Sequence, residues 1–207
     1  HYPVYLLAGT VLWSFFSECT NQGIQAIVAR GDLLRKISFP KWIIVVSATV
    51  TALINFLINL GVVIIFAIIN GVTPNLGWLL VPFIILELYL LSLGISFFLG
   101  AINVKYRDIS SIWEVFMQAL FYAVPVIYPI TMVASASPLA AKIFLLNPIA
   151  QVIQDVRYFL ITDQTITTWN YLENRLLYLI PLGLVSLVII LGGIYFRKRS
   201  KYFAEEA

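Results

Sequence analysis

This chain nearly lacks histidine and cysteine: His1 and Cys19 are the only examples in 207 residues. One thiol excludes an intrachain disulfide, and with one residue of each kind, metal sites and Cys-His nucleophile pairs built from them are effectively excluded. Charge is scarce as well. Only 11% of residues are charged, against roughly 25% in a soluble domain, so water cannot wet the outside of this one. There is no G-x-x-x-x-G-K-[ST] loop to cradle phosphates, so any ATP hydrolysis is expected on another polypeptide. Acidic residues such as Asp155, Asp163 and Glu173 are scattered rather than clustered, and no series of membrane carboxylates suits a proton relay.

What remains is apolar. Hydrophobic residues make up 61% of the chain and mean hydropathy is +0.94. From Ile43 to Ile69 there is no charged residue; as a helix that run is about 40 Å long, enough to cross a hydrocarbon core about 30 Å thick. Five segments can be marked: Val4 into the region from Glu18 to Gln25, Ile43 to Ile69, Trp78 to Ile102 with Glu87 inside it, Ile109 to Met132, and Leu176 to Phe196. Only helices and closed barrels satisfy the backbone in lipid, and these runs are too long for barrel strands. The expected fold is an all-α integral membrane protein of five transmembrane helices. Between the last two, Pro138 to Leu146 and Ile149 to Ile161 are too short to span. The second carries Gln151, Gln154, Asp155 and Arg157 at helical spacing. Both read as interfacial or re-entrant helices over the outer mouth of the bundle.

Ten of the thirteen basic residues fall in three places: Arg30, Arg35, Lys36 and Lys41; Lys105 and Arg107; and Arg197, Lys198, Arg199 and Lys201. By the positive-inside rule these face the cytoplasm, with Thr165 outside, so the chain starts outside and ends inside. The chain begins at His1 rather than Met, and an outside start predicts one preceding span, six in the intact protein.

Polar groups inside spans are the natural candidates for function, since a charge at the bilayer centre is costly. Glu114, Gln118, Tyr122, Pro125 and Tyr128 recur at steps of three and four. Such a stripe suits a sugar chain, because aromatic faces stack on pyranose rings; equally, Glu114 can snorkel to the interface while the tyrosines mark an aromatic belt. Thr51, Asn55 and Asn59 share a face, read as interhelical hydrogen bonding ahead of substrate contact. Ser92, Ser96 and Gly100 form a small-residue ladder for close backbone approach. Glu87 is either a buried partner of another helix or functional.

Several short motifs occur in a fixed order. Tyr2-Pro3-Val4-Tyr5-Leu6-Leu7-Ala8-Gly9 and Trp13-Ser14-Phe15-Phe16 open the chain; Leu33-Leu34-Arg35-Lys36-Ile37-Ser38-Phe39-Pro40, Tyr106-Arg107-Asp108, Pro125-Val126-Ile127-Tyr128 and Asn147-Pro148 follow. Together they resemble the permease subunits of bacterial ABC type-2 polysaccharide exporters, the group serving O-antigen, capsule and teichoic acid. The family's N-terminal amphipathic helix and first transmembrane helix are not matched.

The resemblance implies a membrane permease with no catalysis of its own, in the bacterial cytoplasmic membrane with its C-terminus in the cytoplasm. Two permeases and two nucleotide-binding ATPase subunits, which carry the ATP and Mg²⁺, would move a lipid-linked polysaccharide between the permeases. Membrane lipid is the other expected contact, and nucleic acid is not. It implies ATPase coupling through Arg35, Lys36, Phe39, Pro40, Tyr106, Arg107 and Asp108, and a channel lined by Trp13, Phe16, Glu114, Gln118, Tyr122 and Tyr128. The alternative for the basic linkers is topology alone. Other functions kept open are a drug or lipid permease of similar build, a membrane enzyme acting on isoprenoid-linked sugars, and a scaffold.

Overall fold

A computed structural model describes residues 2–32, 39–172 and 175–203, and among them every regular element is helical. In order these are α1 (Tyr2–Ala29), α2 (Trp42–Ile69), a 3₁₀ turn (Leu76–Leu80) leading into α3 (Val81–Asn103), α4 (Ile109–Ala123), α5 (Ile130–Ala136), α6 (Pro138–Leu145), α7 (Pro148–Leu160), α8 (Thr168–Tyr171), a second 3₁₀ turn (Arg175–Tyr178), α9 (Leu179–Arg199) and a third 3₁₀ turn (Ser200–Tyr202). Arg35 and Lys36 lie outside the described residues.

Local chemistry sets the breaks. After α2, Gly71 takes φ +84°, the left-handed conformation glycine adopts without a Cβ clash. The Val72 N–H returns to the Ala67 carbonyl at 3.0 Å and the Gly71 N–H to Ile68 at 3.0 Å, a Schellman stop. Ser137 and Asn147 cap α6 and α7 by accepting from the Ala140 and Ile149 N–H groups, and Pro138 and Pro148 open the first turns. The Asn-Pro motif is thus a cap and first-turn pair, at which α6 and α7 meet at 93°.

The fourth segment departs from expectation. A helix from Ile109 to Met132 is predicted, but α4 stops at Ala123. Pro125 disfavours helical backbone at Val124 and has no N–H to continue the ladder. Pro125 and Tyr128 are therefore not on the α4 stripe. At 15 residues, α4 is about 22 Å long, short of a hydrocarbon core. By length and composition three described helical segments can cross a membrane: Trp42–Ile69, Leu76–Asn103 and Leu176–Tyr202; a fourth is reached if α6 and α7 count as one broken span. α1 is long enough at 28 residues, but its second half carries Glu18, Thr20, Asn21, Gln22 and Gln25.

Two compact units divide the chain. The first comprises His1–Ser14, Phe56–Leu88 and Leu120–Leu184. Its apolar packing includes Ile130, Ala141 and Leu145, with Tyr171 against them. The second comprises Phe15–Asn55, Tyr89–Ala119 and Val185–Ala207. Its core joins Ile27, Ile44, Val104, Phe196 and Phe203. There the small-residue ladder of α3 does the work expected of it: a Cβ at Gly100 would lie 3.2 Å from the Gly23 carbonyl of α1. α3 also approaches α9 at Gly94 and Gly192, where a Cβ on either would run into the other helix's backbone.

Candidate functional site

Arg157 is among the largest fully buried side chains, and α7 places it within the first unit. Its Nε donates to the Tyr5 carbonyl at 3.1 Å, Nη1 to Pro125 O at 2.7 Å, and Nη2 to Val126 O. The guanidinium also lies 3.7 Å from the Tyr5 ring centroid, a cation–π contact strengthened by the burial of Arg157. The proline that ends α4 leaves carbonyls with no helical partner, and a buried carbonyl needs a donor. Arg157 supplies donors in a rigid fork. A Cβ at Gly9 would meet Arg157 Nη2 and come within 2.6 Å of Val126 O, so the glycine leaves the slot open. Motifs widely separated in sequence thus converge here: Tyr5 and Gly9 from the opening run, Pro125 and Val126, and α7 started by Asn147-Pro148.

The remaining polar residues of α7 are turned inward too. Gln151, Gln154 and Asp155 are at most 1% exposed. Tyr5 Oη donates to Gln154 Oε1 at 3.2 Å. Gln151 Nε2 lies 2.8 Å from Asp155 Oδ2, 3.4 Å from Glu87 Oε2 and 3.3 Å from Tyr178 Oη. Glu87 is therefore a buried partner of another helix's polar group, the first of its two sequence readings. An interfacial helix would show this face to water; burial leaves the re-entrant reading of α7 standing.

On α4 the polar residues face the other way. Glu114, Gln118 and Tyr122 are exposed, Tyr122 at 72%, and Met117 is the single buried residue of the helix. Tyr128 is half-buried and bends back, its hydroxyl donating to the Tyr122 carbonyl at 3.1 Å. Trp13 and Phe16, expected along the channel, are 8% and 0% exposed. In the first unit the Trp13 ring packs at 5.5 Å from Phe121; in the second, Phe16 lies 6.5 Å from Trp113. Both are large apolar rings that lose contact with lipid and water by packing on α4, so they back that helix rather than present a surface.

Within the second unit, Tyr106, Arg107 and Asp108 form an exposed turn between α3 and α4. Asn103, 3% exposed, fixes it: its Nδ2 donates to Ile24 O at 3.3 Å and its Oδ1 accepts from the Ser110 N–H at 3.3 Å. Phe39 packs beside the Ile27–Phe196 core, and the exposed Pro40 offers its carbonyl to Ile43 N–H at 3.2 Å just before α2. Of the α2 face, Asn55 bridges helices, donating to Glu18 Oε1 at 2.8 Å, while Thr51 bonds its own helix at Ser47 O. Arg157 and Asn103 were not singled out by sequence reasoning. For Arg157 the available signal was a cation on a short helix in a chain with few charges.

Apolar helices of spanning length, a bent helix pair between them and polar side chains turned inward define a multi-pass membrane protein. The chain belongs to the ABC-2 type transporter family, which matches residues 2–161. It is 31% identical over 148 residues to the O-antigen export system permease protein RfbA of Myxococcus xanthus, covering 72% of this chain and 56% of that protein. Two Klebsiella pneumoniae proteins of the same name are each 25% identical over 206 residues, covering 99% of this chain and 75% of theirs.

Proposed function

We propose that this chain is the membrane permease subunit of an ATP-driven exporter that passes a lipid-linked polysaccharide across the bacterial cytoplasmic membrane. ATP and Mg²⁺ are held by a separate nucleotide-binding subunit, and a second copy of this chain completes the path. The basic linkers and C-terminus face the cytoplasm, where Arg35, Lys36, Phe39, Pro40 and the turn of Tyr106, Arg107 and Asp108 receive the ATPase's motion. The observation that carries this reading is α4, a helix of a membrane protein that buries only Met117 and leaves Glu114, Gln118 and Tyr122 uncovered. A polymer sliding past needs stacking and hydrogen bonds without tight binding at one point, and this face offers both. The relatives named for O-antigen export support the glycan as cargo.

Export assays on chain-length-resolved glycan test it. Tyr122→Ala should slow long chains while assembly with the ATPase persists, and Leu120→Ala should act mainly by loosening packing. Unchanged export by Tyr122→Ala at equal abundance would count against this face as the path.

A further inference from the structure

A second feature lies apart from the path described above. In the second unit a cavity of about 630 Å³ opens between the start of α2 and the end of α9. Four aromatic side chains wall it, Phe39, Trp42, Phe97 and Phe196, and the cations of Lys41, Arg197 and Lys201 line it with them. Among the described residues no carboxylate lines it. Lys41 is held in place by donating to the Ser200 carbonyl and by lying 5.7 Å from the Phe203 ring centroid.

We propose that this cavity binds one anionic phospholipid of the surrounding bilayer, the phosphate on Lys41, Arg197 and Lys201 and the first acyl carbons against the aromatic wall. The volume is that of an ordinary ligand pocket, about 300–1,000 Å³. The charges are all of one sign and stand at the ends of two spanning helices, Trp42–Ile69 and Leu176–Tyr202, the depth at which lipid phosphates lie. Basic pockets between membrane helices select acidic headgroups for this reason. A soluble anion would account for the cations and leave the aromatic wall idle; a zwitterionic lipid such as phosphatidylcholine would bring, beside its phosphate, a quaternary ammonium that Lys41, Arg197 and Lys201 repel.

Trp42 supplies the readout. The full chain in detergent micelles is titrated with brominated phosphatidylglycerol or brominated phosphatidylcholine, and quenching at Trp42 is taken as the difference from Trp42→Phe. Phosphatidylglycerol should quench at lower mole fraction. The preference should fall about fivefold for each of Lys41→Gln, Arg197→Gln and Lys201→Gln. Gly193 also lines the cavity, and a Cβ there meets nothing within 4 Å. Gly193→Leu should therefore fill the space and abolish the preference with every charge retained. A preference that survives Gly193→Leu in protein of unchanged helicity would reduce the effect to diffuse surface charge and overturn the site. Displacement of the lipid by millimolar inorganic phosphate would make it an anion site only. A preference that appears only after Glu205 and Glu206 are neutralised would give the cavity to the chain's own tail.

Discussion

α7 and α4 are both short helices with polar residues at helical spacing, and they use them in opposite ways. On α7 the polar side chains Gln151, Gln154, Asp155 and Arg157 are all buried; on α4, Glu114, Gln118 and Tyr122 are exposed. In a membrane protein a polar stripe must be answered by something other than lipid. On α7 the same chain answers, through the Tyr5, Pro125 and Val126 carbonyls and the Glu87 carboxylate. On α4 the described residues leave Glu114, Gln118 and Tyr122 exposed, and the proposed function gives that side to cargo.

Removing the internal answer should do the most damage. Arg157→Met takes the guanidinium from three carbonyls, two of which, Pro125 and Val126, lie past the end of α4 without a helical partner, and should cost about 3–5 kcal/mol, seen as a large drop in thermal stability in detergent. Arg157→Lys should not rescue it, because an ammonium cannot reproduce the fork. A variant as stable as the parent would break the contrast at its stronger end. Gln151→Leu comes next. It removes the amide shared between Glu87 and Asp155, so two buried carboxylates lose a donor at a cost of about 1–3 kcal/mol; restoring most of that loss by adding Glu87→Gln would sharpen the case that the amide holds the carboxylates. Gln118→Ala sits at the far end, since truncating an exposed side chain should move stability by no more than about 0.5 kcal/mol. A large loss of stability there would mean that the Gln118 face of α4 packs within its own chain.

The long helices were legible because uninterrupted apolar runs in a chain with 11% charge leave few other forms: α2 begins and ends within a residue of its expected limits. Asn147-Pro148 stood out as a motif, and the structure adds that it caps α7 and opens its first turn. The end of α4 was not legible, because apolar periodicity runs on through Val124, Val126 and Ile127 while the backbone obeys Pro125. Nor was the direction of the polar faces. Periodicity states which residues share a side; it does not state whether water, cargo or another helix covers it. Asn103 was hidden for a related reason, as its value lies in bonds to Ile24 and Ser110, one distant in sequence and one close.

The difference between the two helices is most directly tested by thiol accessibility in the assembled transporter. With Cys19 replaced by alanine, single cysteines at Gln118 on α4 and Gln154 on α7 are treated with a membrane-impermeant maleimide in detergent-solubilised complex without denaturant. Position 118 should label readily in at least one nucleotide state and position 154 should stay protected until the protein is unfolded. Ready labelling of 154 in the folded complex, with 118 protected in every state, would contradict the assignment of α7 to the interior and α4 to the path.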